Sequence, residues 1–394
     1  MAQPAVVCEI AFTTAPGAVP SWTAVTNYLL GFTINRGRAH ELDQFQAGTA
    51  TVRLQNHDRR FEPLYASGAY YPNVVPLRRL RIRATWNSIT YDLFHGYIER
   101  WQPSYPGPLD SECEVACVDG FYVLSNAALN TDVVQQFSGA RIGAVLDTIS
   151  WPAGDRAIST GLLQVQARTL VNVSALAHLQ AVALAEQGYL WINPSGSVVF
   201  RSRDSRIRAP ITTHLTLGDA GGSEEYYQDA AWDYDSAHLY NDVRFTRHGG
   251  IEQVASDSTS ITAYYKRSYA VSDTENAEDG DALIAAQVTL GKYKDPQYRA
   301  RAIQLNAEAE PATLWPHLLG RDIGDRISIT KRPPGGGTAL TQVSWIEGVA
   351  FTWRAFGGVW ESITWTVSPA DTQTYWQLQD ATYGVLDSTT RLWV

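Results

Sequence analysis

The chain is short of cysteine, of basic charge and of long apolar runs, and each shortage closes off a class of protein. Three cysteines among 394 residues, Cys8, Cys113 and Cys117, are too few and odd in number for a disulfide framework. Cys113 and Cys117 lie in the alternating segment SECEVACVDG, and four residues apart on a strand means the same face. They read as small buried hydrophobes, because no second Cys or His pair supplies the other half of a tetrahedral zinc site. Lys and Arg number 31 against 40 Asp and Glu, for a net charge of −9. The basic excess that grips nucleic acid by neutralising phosphates is missing, although an acidic surface can border DNA that only passes by. No apolar run approaches about 18 residues, and the opening MAQPAVVCEIAFTTAPGAVP lacks the basic flank and apolar stretch of a secretion signal, so the expectation is a chain folded in a cytoplasm.

Motifs of chemistry are equally scarce. HELDQ at His40 begins like a zincin helix but has no second His four residues on. There is no GxSxG elbow and no GxxxxGK[ST] loop, and the glycines of PPGGG lack a strand-to-helix context. His57, His95, His178 and His248 stand singly in different segments and read as surface or core histidines. Carboxylate pairs such as Glu224-Glu225 or Glu308-Glu310 could serve a cell-wall glycosidase, but nothing in the sequence fixes their separation. The acidic stretch before the helix expected over 281–293 lacks the ligand spacing of an EF-hand, and its carboxylates suit the helix N-terminus. No catalytic residue, metal or cofactor is assigned.

What the chain has in quantity is aromatic and alternating sequence. Thirteen Trp and twenty Tyr are spread along its length while charged residues make up only 18%, which favours a β-rich chain with large packing surfaces. The length suggests roughly two to four domains. TATVRLQN places Ala50, Val52 and Leu54 on one face, RLRIRATW does the same with Leu80, Ile82 and Ala84, and TWNSITYDLFHGYIERW reads as a hairpin turning at Asn87-Ser88. From about Ser111 the texture becomes mixed: RIGAVLDTISW is helical, a clearer helix follows Ser174 as cap and ends at Gly188, and a hairpin turns about PSG. A second β-rich region begins at YNDVRFTRHGG, with DRISIT and QVSWIEGVAFTW separated by the flexible KRPPGGGTAL.

FHGYIERW (residues 94–101) and IEGVAFTW (residues 346–353) share an apolar residue, Gly and Trp at one spacing, which pairs Gly96 with Gly348 and Trp101 with Trp353. Glycines there suit a strand bend or a close backbone approach, as at a barrel corner. The expected fold is mainly β with an α+β insertion: two related β-barrel domains, a small α/β domain and a C-terminal tail. The expected boundaries are 1–108 for the first barrel (with 206–226 as a candidate to complete it), 109–205 for the α/β domain, 227–368 for the second barrel with a helical insertion near 278–293, and 369–394 for a docking tail that carries Trp376, Tyr383 and Trp393.

Taken in order, RGR…LDQFQAGTATVRLQNHDRRFEP, PLRRLRIRATWNSITYDLFHGYIERW, YNDVRFTRHGG, DIGDRISITKRPPGGG…IEGVAFTW and YGVLDSTTRLWV resemble the minor tail proteins of long-tailed phages, specifically the baseplate or tail-tip hub. The resemblance covers nearly the whole chain. It implies a structural virion protein without cofactor: a homotrimer at the distal end of the tail, whose six barrels sit under a sixfold ring of distal tail protein and surround the channel through which DNA is ejected. Other tail-tip proteins or fibres and the tape measure protein are the further implied partners, with no membrane anchor. Because the sequence ends soon after the second barrel, host binding is expected to belong to another protein. The charged turns at Arg36, Arg38, Arg59 and Arg60, and the loop at Lys331 and Arg332, are the expected contacts between subunits, with a solvated turn as the plain alternative at each. A distal tail protein and a carbohydrate-binding receptor protein remain as alternatives, with a cell-wall hydrolase behind them.

Overall fold

In a computed structural model, which describes residues 3–107, 110–207, 211–308 and 310–370, a fourteen-stranded sheet takes up most of the β structure. Apart from two two-residue edge strands, Thr23–Ala24 and Glu225–Tyr226, its first half consists of β1 (Ala5–Ile10), β2 (Leu29–Gly37), β3 (Gln46–Gln55), β4 (Arg79–Trp86), β5 (Ile89–Ser104) and β6 (Glu112–Val118). Alternation decides which face is buried: Ala50, Val52 and Leu54 of β3 and Leu80, Ile82 and Ala84 of β4 are all inside. Asn87 and Ser88 both take positive φ, as a two-residue primed turn requires, and so close the β4–β5 hairpin. Cys113 and Cys117 lie buried on one face of β6, and burial pushes the Cys113 thiol up to about 12. The spatial order of this half is β2-β3-β6-β5-β4-β1.

The chain then builds an α/β unit with α1 (Gly120–Asn126), α2 (Ser138–Thr148), α3 (Ala175–Glu186) and the hairpin of β7 (Tyr189–Ile192) and β8 (Val198–Arg201). The Ser174 hydroxyl caps α3 by accepting from the Ala177 amide, and the Gly188 amide closes it by donating to the Ala183 carbonyl at 2.8 Å. Phe121, Ile142, Leu146, Leu179, Val182 and Phe200 give the unit its own core.

The second half opens with β9 (Thr213–Gly218) and β10 (Asp229–Tyr234). An insertion follows, made of β11 (Asp242–Arg247), β12 (Gln253–Ser256), α4 (Ser258–Tyr264), β13 (Ser268–Thr274) and α5 (Asp279–Tyr293). It has a small core of Val243, Phe245, Ala282 and Ala286, so it is larger than the single helix expected near 278–293. The sheet resumes with β14 (Tyr298–Leu305), is covered by α6 (Pro311–Gly320), and ends with β15 (Arg326–Lys331), β16 (Leu340–Arg354) and β17 (Val359–Pro369). The spatial order is β10-β14-β17-β16-β15-β9. One expectation is corrected here: the 206–226 segment does not complete the first half. β9 runs parallel to β15, pairing Leu215 with Ile327 and Leu217 with Ile329, and so buries its leucines in the second half. Both halves contribute to one apolar cluster that includes Ile34, Val52, Phe94, Ile303, Ile346 and Trp365. Nearly all of the expected docking tail, residues 371–394 with Trp376, Tyr383 and Trp393, lies outside the described residues.

Candidate functional site: the seam between the sheet halves

The two halves share one strand order, although β1 runs antiparallel to β4 and β9 runs parallel to β15, and they agree most closely around one isoleucine. In the first, the Ile98 amide donates to the Arg78 carbonyl and its carbonyl accepts from Leu77; in the second, Ile346 makes the same pair of bonds with Asp325 and Gly324. Immediately afterwards both strands bulge against their neighbours, between Ile98 and Arg100 on β6 and between Ile346 and Gly348 on β17. Tyr97-Ile98-Glu99 therefore corresponds to Trp345-Ile346-Glu347. This corrects the register of the repeat by four residues: Gly96 matches Ser344, Gly348 matches Arg100, and Trp101 matches Val349. The repeat exists, but its glycines do different work. A Cβ at Gly96 would lie 2.5 Å from the Val118 carbonyl oxygen and 2.7 Å from the Phe94 ring. Trp101 is buried and donates from Nε1 to the Val75 carbonyl at 3.0 Å, whereas Trp353 is half-buried and stacks on Phe32.

Gly348 belongs to the seam that joins the halves. Beyond its bulge, β16 pairs with β2 in a continuous register, from Gly348 with Gly37 to Arg354 with Gly31. Gly37 has φ +109°, and a Cβ there would fall 2.2 Å from the Glu347 carbonyl oxygen. Only glycine meets both conditions.

Beside this crossing sits Glu347, fully buried and held by two guanidiniums. Arg38 donates from Nε to Oε2 at 2.8 Å, and Arg206 forms an ion pair with the other oxygen. Burial alone would raise its pKa, yet the charges of Arg206 and Arg38 override burial and hold the carboxyl at about 2. Arg38 also donates to the Asp43 carbonyl and lies 4.3 Å over the Phe45 ring, while Arg36 donates to Asp322 at 2.7 Å. Arg36 and Arg38 are thus buried within their own chain. They were expected at contacts between subunits, and their side chains, 4% and 6% exposed, are spent on the seam instead. Sequence reasoning missed Glu347 and Arg206. The echo of YIE in WIE is the signal that marks Glu347.

The other basic residues stay at the surface, where own-chain carboxylates engage three of them. Arg59 binds Glu62 through Nε and Nη2 and covers the Tyr65 ring; Arg60 binds Asp58 and covers Tyr28. Arg332 bridges Asp219 and Glu224 at 2.7 Å each, and Lys331 ends β15 opposite Leu340. The acidic stretch before α5 is also engaged: Asp273 bonds His248, Glu275 bonds Arg168, and Asp279 bonds Arg247. Among the described residues no group of three or more His, Cys, Asp or Glu side chains is placed to hold a metal ion.

A cleft of about 260 Å³ opens beside the seam, lined by Arg36, Tyr91, Asp92, Ser195, Arg321 and Asp322 among others. The Ser195 hydroxyl there donates to Asn193 Oδ1 at 2.8 Å. The distinctive features of the molecule are its sheet edges and the seam where two of them meet.

No protein-family model matches the chain, and no curated protein does. Solved structures do match it. A tail protein from Neisseria meningitidis aligns over 93% of this chain and 96% of its own at 12% identity, with a TM-score of 0.59. A 43 kDa tail protein of prophage MuSo2 from Shewanella oneidensis aligns over 93% and 97% at 13% identity, with a TM-score of 0.56. An Escherichia coli component of the type VI secretion system, itself described as similar to the T4 bacteriophage tail proteins gp27 and gp5, aligns over 88% and 74% at 10% identity, with a TM-score of 0.51. The chain has the fold of phage tail proteins.

Proposed function

We propose that the chain is the tail-tip hub of a long-tailed bacteriophage, a structural virion protein that adapts the sixfold tail tube to a threefold tip. The observation that carries this reading is the shared strand order and matching bulge of the two sheet halves, joined edge to edge by β2 and β16. One chain offers two near-equivalent units, so three copies around an axis offer six and can face a hexameric ring. Each half is then a barrel-like domain, 1–108 and 227–368 with β9 added to the second, and the α/β unit and the insertion project from them. The partners are a ring of distal tail protein above, further tip proteins or fibres below, and the tape measure protein in the channel. DNA passes through that channel without sequence-specific contact, in keeping with the net charge of −9. Arg59, Arg60, Lys331 and Arg332 remain the proposed contacts with neighbouring rings.

The chain is proposed to act through its interfaces, with no catalytic step. Imaging of virions with the chain tagged tests the placement. The tag is expected at the distal end of the tail, and a tag along the tube or on the capsid contradicts the reading.

A further inference from the structure

The seam leaves two edges unmatched, and they are the counterparts of the two edges that form it. β10 corresponds to β2: Ala230 pairs with Ile303 of β14 as Phe32 pairs with Val52 of β3, and Ala231 pairs with Ala302 as Thr33 does with Thr51. The C-terminal part of β5 corresponds to that of β16, as fixed by the shared bulge. Within the chain, β2 lies on β16. Among the described residues β10 pairs only with β14, and β5 beyond Ile98 pairs only with β6. Both vacant edges present tyrosines, Tyr234 at 66% and Tyr105 at 61% exposure. A free edge of this kind is a pairing site unless something covers it.

We infer that β10 of one copy adds to the free half of β5 of a second copy, repeating between chains the seam that β2 and β16 make within one. Counting along β10 from Ala231, past the extra residue that β14 carries opposite it, and applying the register of the internal seam, Asn35 with Ala350 and Gly37 with Gly348, places Asp233 opposite Gln102, Tyr234 opposite Trp101 and Asp235 opposite Arg100. The last pair is complementary in charge. Arg100 is well exposed and reaches Glu114 only at 3.7 Å, and Asp235 retains exposed surface beside Arg299. Pro103 withholds one amide from the edge, so the pairing between copies makes fewer bonds than the internal one, consistent with a contact formed on assembly. Because the two edges differ, the contact is head-to-tail, and it closes on itself only as a ring. The inference rests on the hub reading, which sets the ring at three copies.

Paired strands bring opposed Cα atoms within disulfide range, about 4.5 to 5.5 Å, so cysteines introduced in the transferred register report the contact directly. The test is the full chain with Gln102→Cys and Asp233→Cys, oxidised at high protein concentration and run on a denaturing gel. The native cysteines are all buried and do not compete. The chain with Asn35→Cys and Ala350→Cys is the positive control, expected to form the matching link inside one copy. The expected result is a ladder of two and three covalently joined copies from the double variant and none from either single variant. If light scattering finds three copies but no link forms while the control links, the strand pairing is wrong and the trimer stands. A chain that stays a monomer throughout overturns the trimer and the pairing together.

Discussion

Glu99 and Glu347 occupy matching positions, each just after an isoleucine and inside the same bulge, yet Glu99 is in solvent and Glu347 is fully buried. The strands that carry them are alike. What differs is the edge beyond the bulge, which β2, Arg38 and Arg206 occupy in the second half and nothing described occupies in the first. A position's environment here is set by what docks on the sheet edge, which is filled at Glu347 and, among the described residues, vacant at Glu99.

The comparison can be broken most severely at the glutamates. Replacing Glu347 with Ala strands two buried guanidiniums and is expected to cost about 3–5 kcal/mol in urea unfolding. Replacing Glu99 with Ala is expected to change stability by less than about 0.5 kcal/mol. Equal losses at the two sites would dissolve the distinction.

The glycines come next. Gly37→Ala puts a Cβ 2.2 Å from a backbone oxygen at left-handed φ, and the expected cost is about 3 kcal/mol. Gly348→Ala meets the carbonyls of Arg36 and Arg38 at 3.1 and 3.2 Å, a milder contact worth about 1 kcal/mol. Unfolding midpoints of the two variants check the order.

A pH titration sharpens the same contrast. Glu347 titrates at about 2 in the folded protein against an ordinary 4.5. A carboxyl with a lowered folded pKa contributes stability that is complete above its unfolded pKa and is lost as pH falls through the folded one. About 3 kcal/mol should therefore disappear between pH 4.5 and 2. Glu347→Gln is expected to lack that slope, and Glu99→Gln to keep it. Last comes Arg332, which pairs with Asp219 and Glu224 at the surface; Arg332→Ala is expected to leave the urea unfolding midpoint of the free chain nearly unchanged.

The local devices of this fold were legible. Alternation in β3 and β4, the Asn87-Ser88 turn, the Ser174 cap and the shared face of Cys113 and Cys117 all depend on neighbours within a few residues. Long-range partners were not. β9 pairs with β15 across more than a hundred residues, and no local pattern says to which half it belongs. Arg36 and Arg38 look like a solvated turn because charged residues are rarely buried unless paired, and the pairing carboxylates lie about three hundred residues away. The repeat was visible but misregistered, since a glycine and a tryptophan recur for different reasons in the two strands. The backbone bonds of Ile98 and Ile346 are invisible in the letters. α6 went unforeseen, with Pro316 inside it breaking the helical pattern.

The central claim is that one chain supplies two near-equivalent units so that three copies make a ring of six. The mass of the assembled protein, measured under native conditions or in the isolated tail tip, tests it most directly. The account predicts three copies per assembly, and a ring of six copies would contradict it.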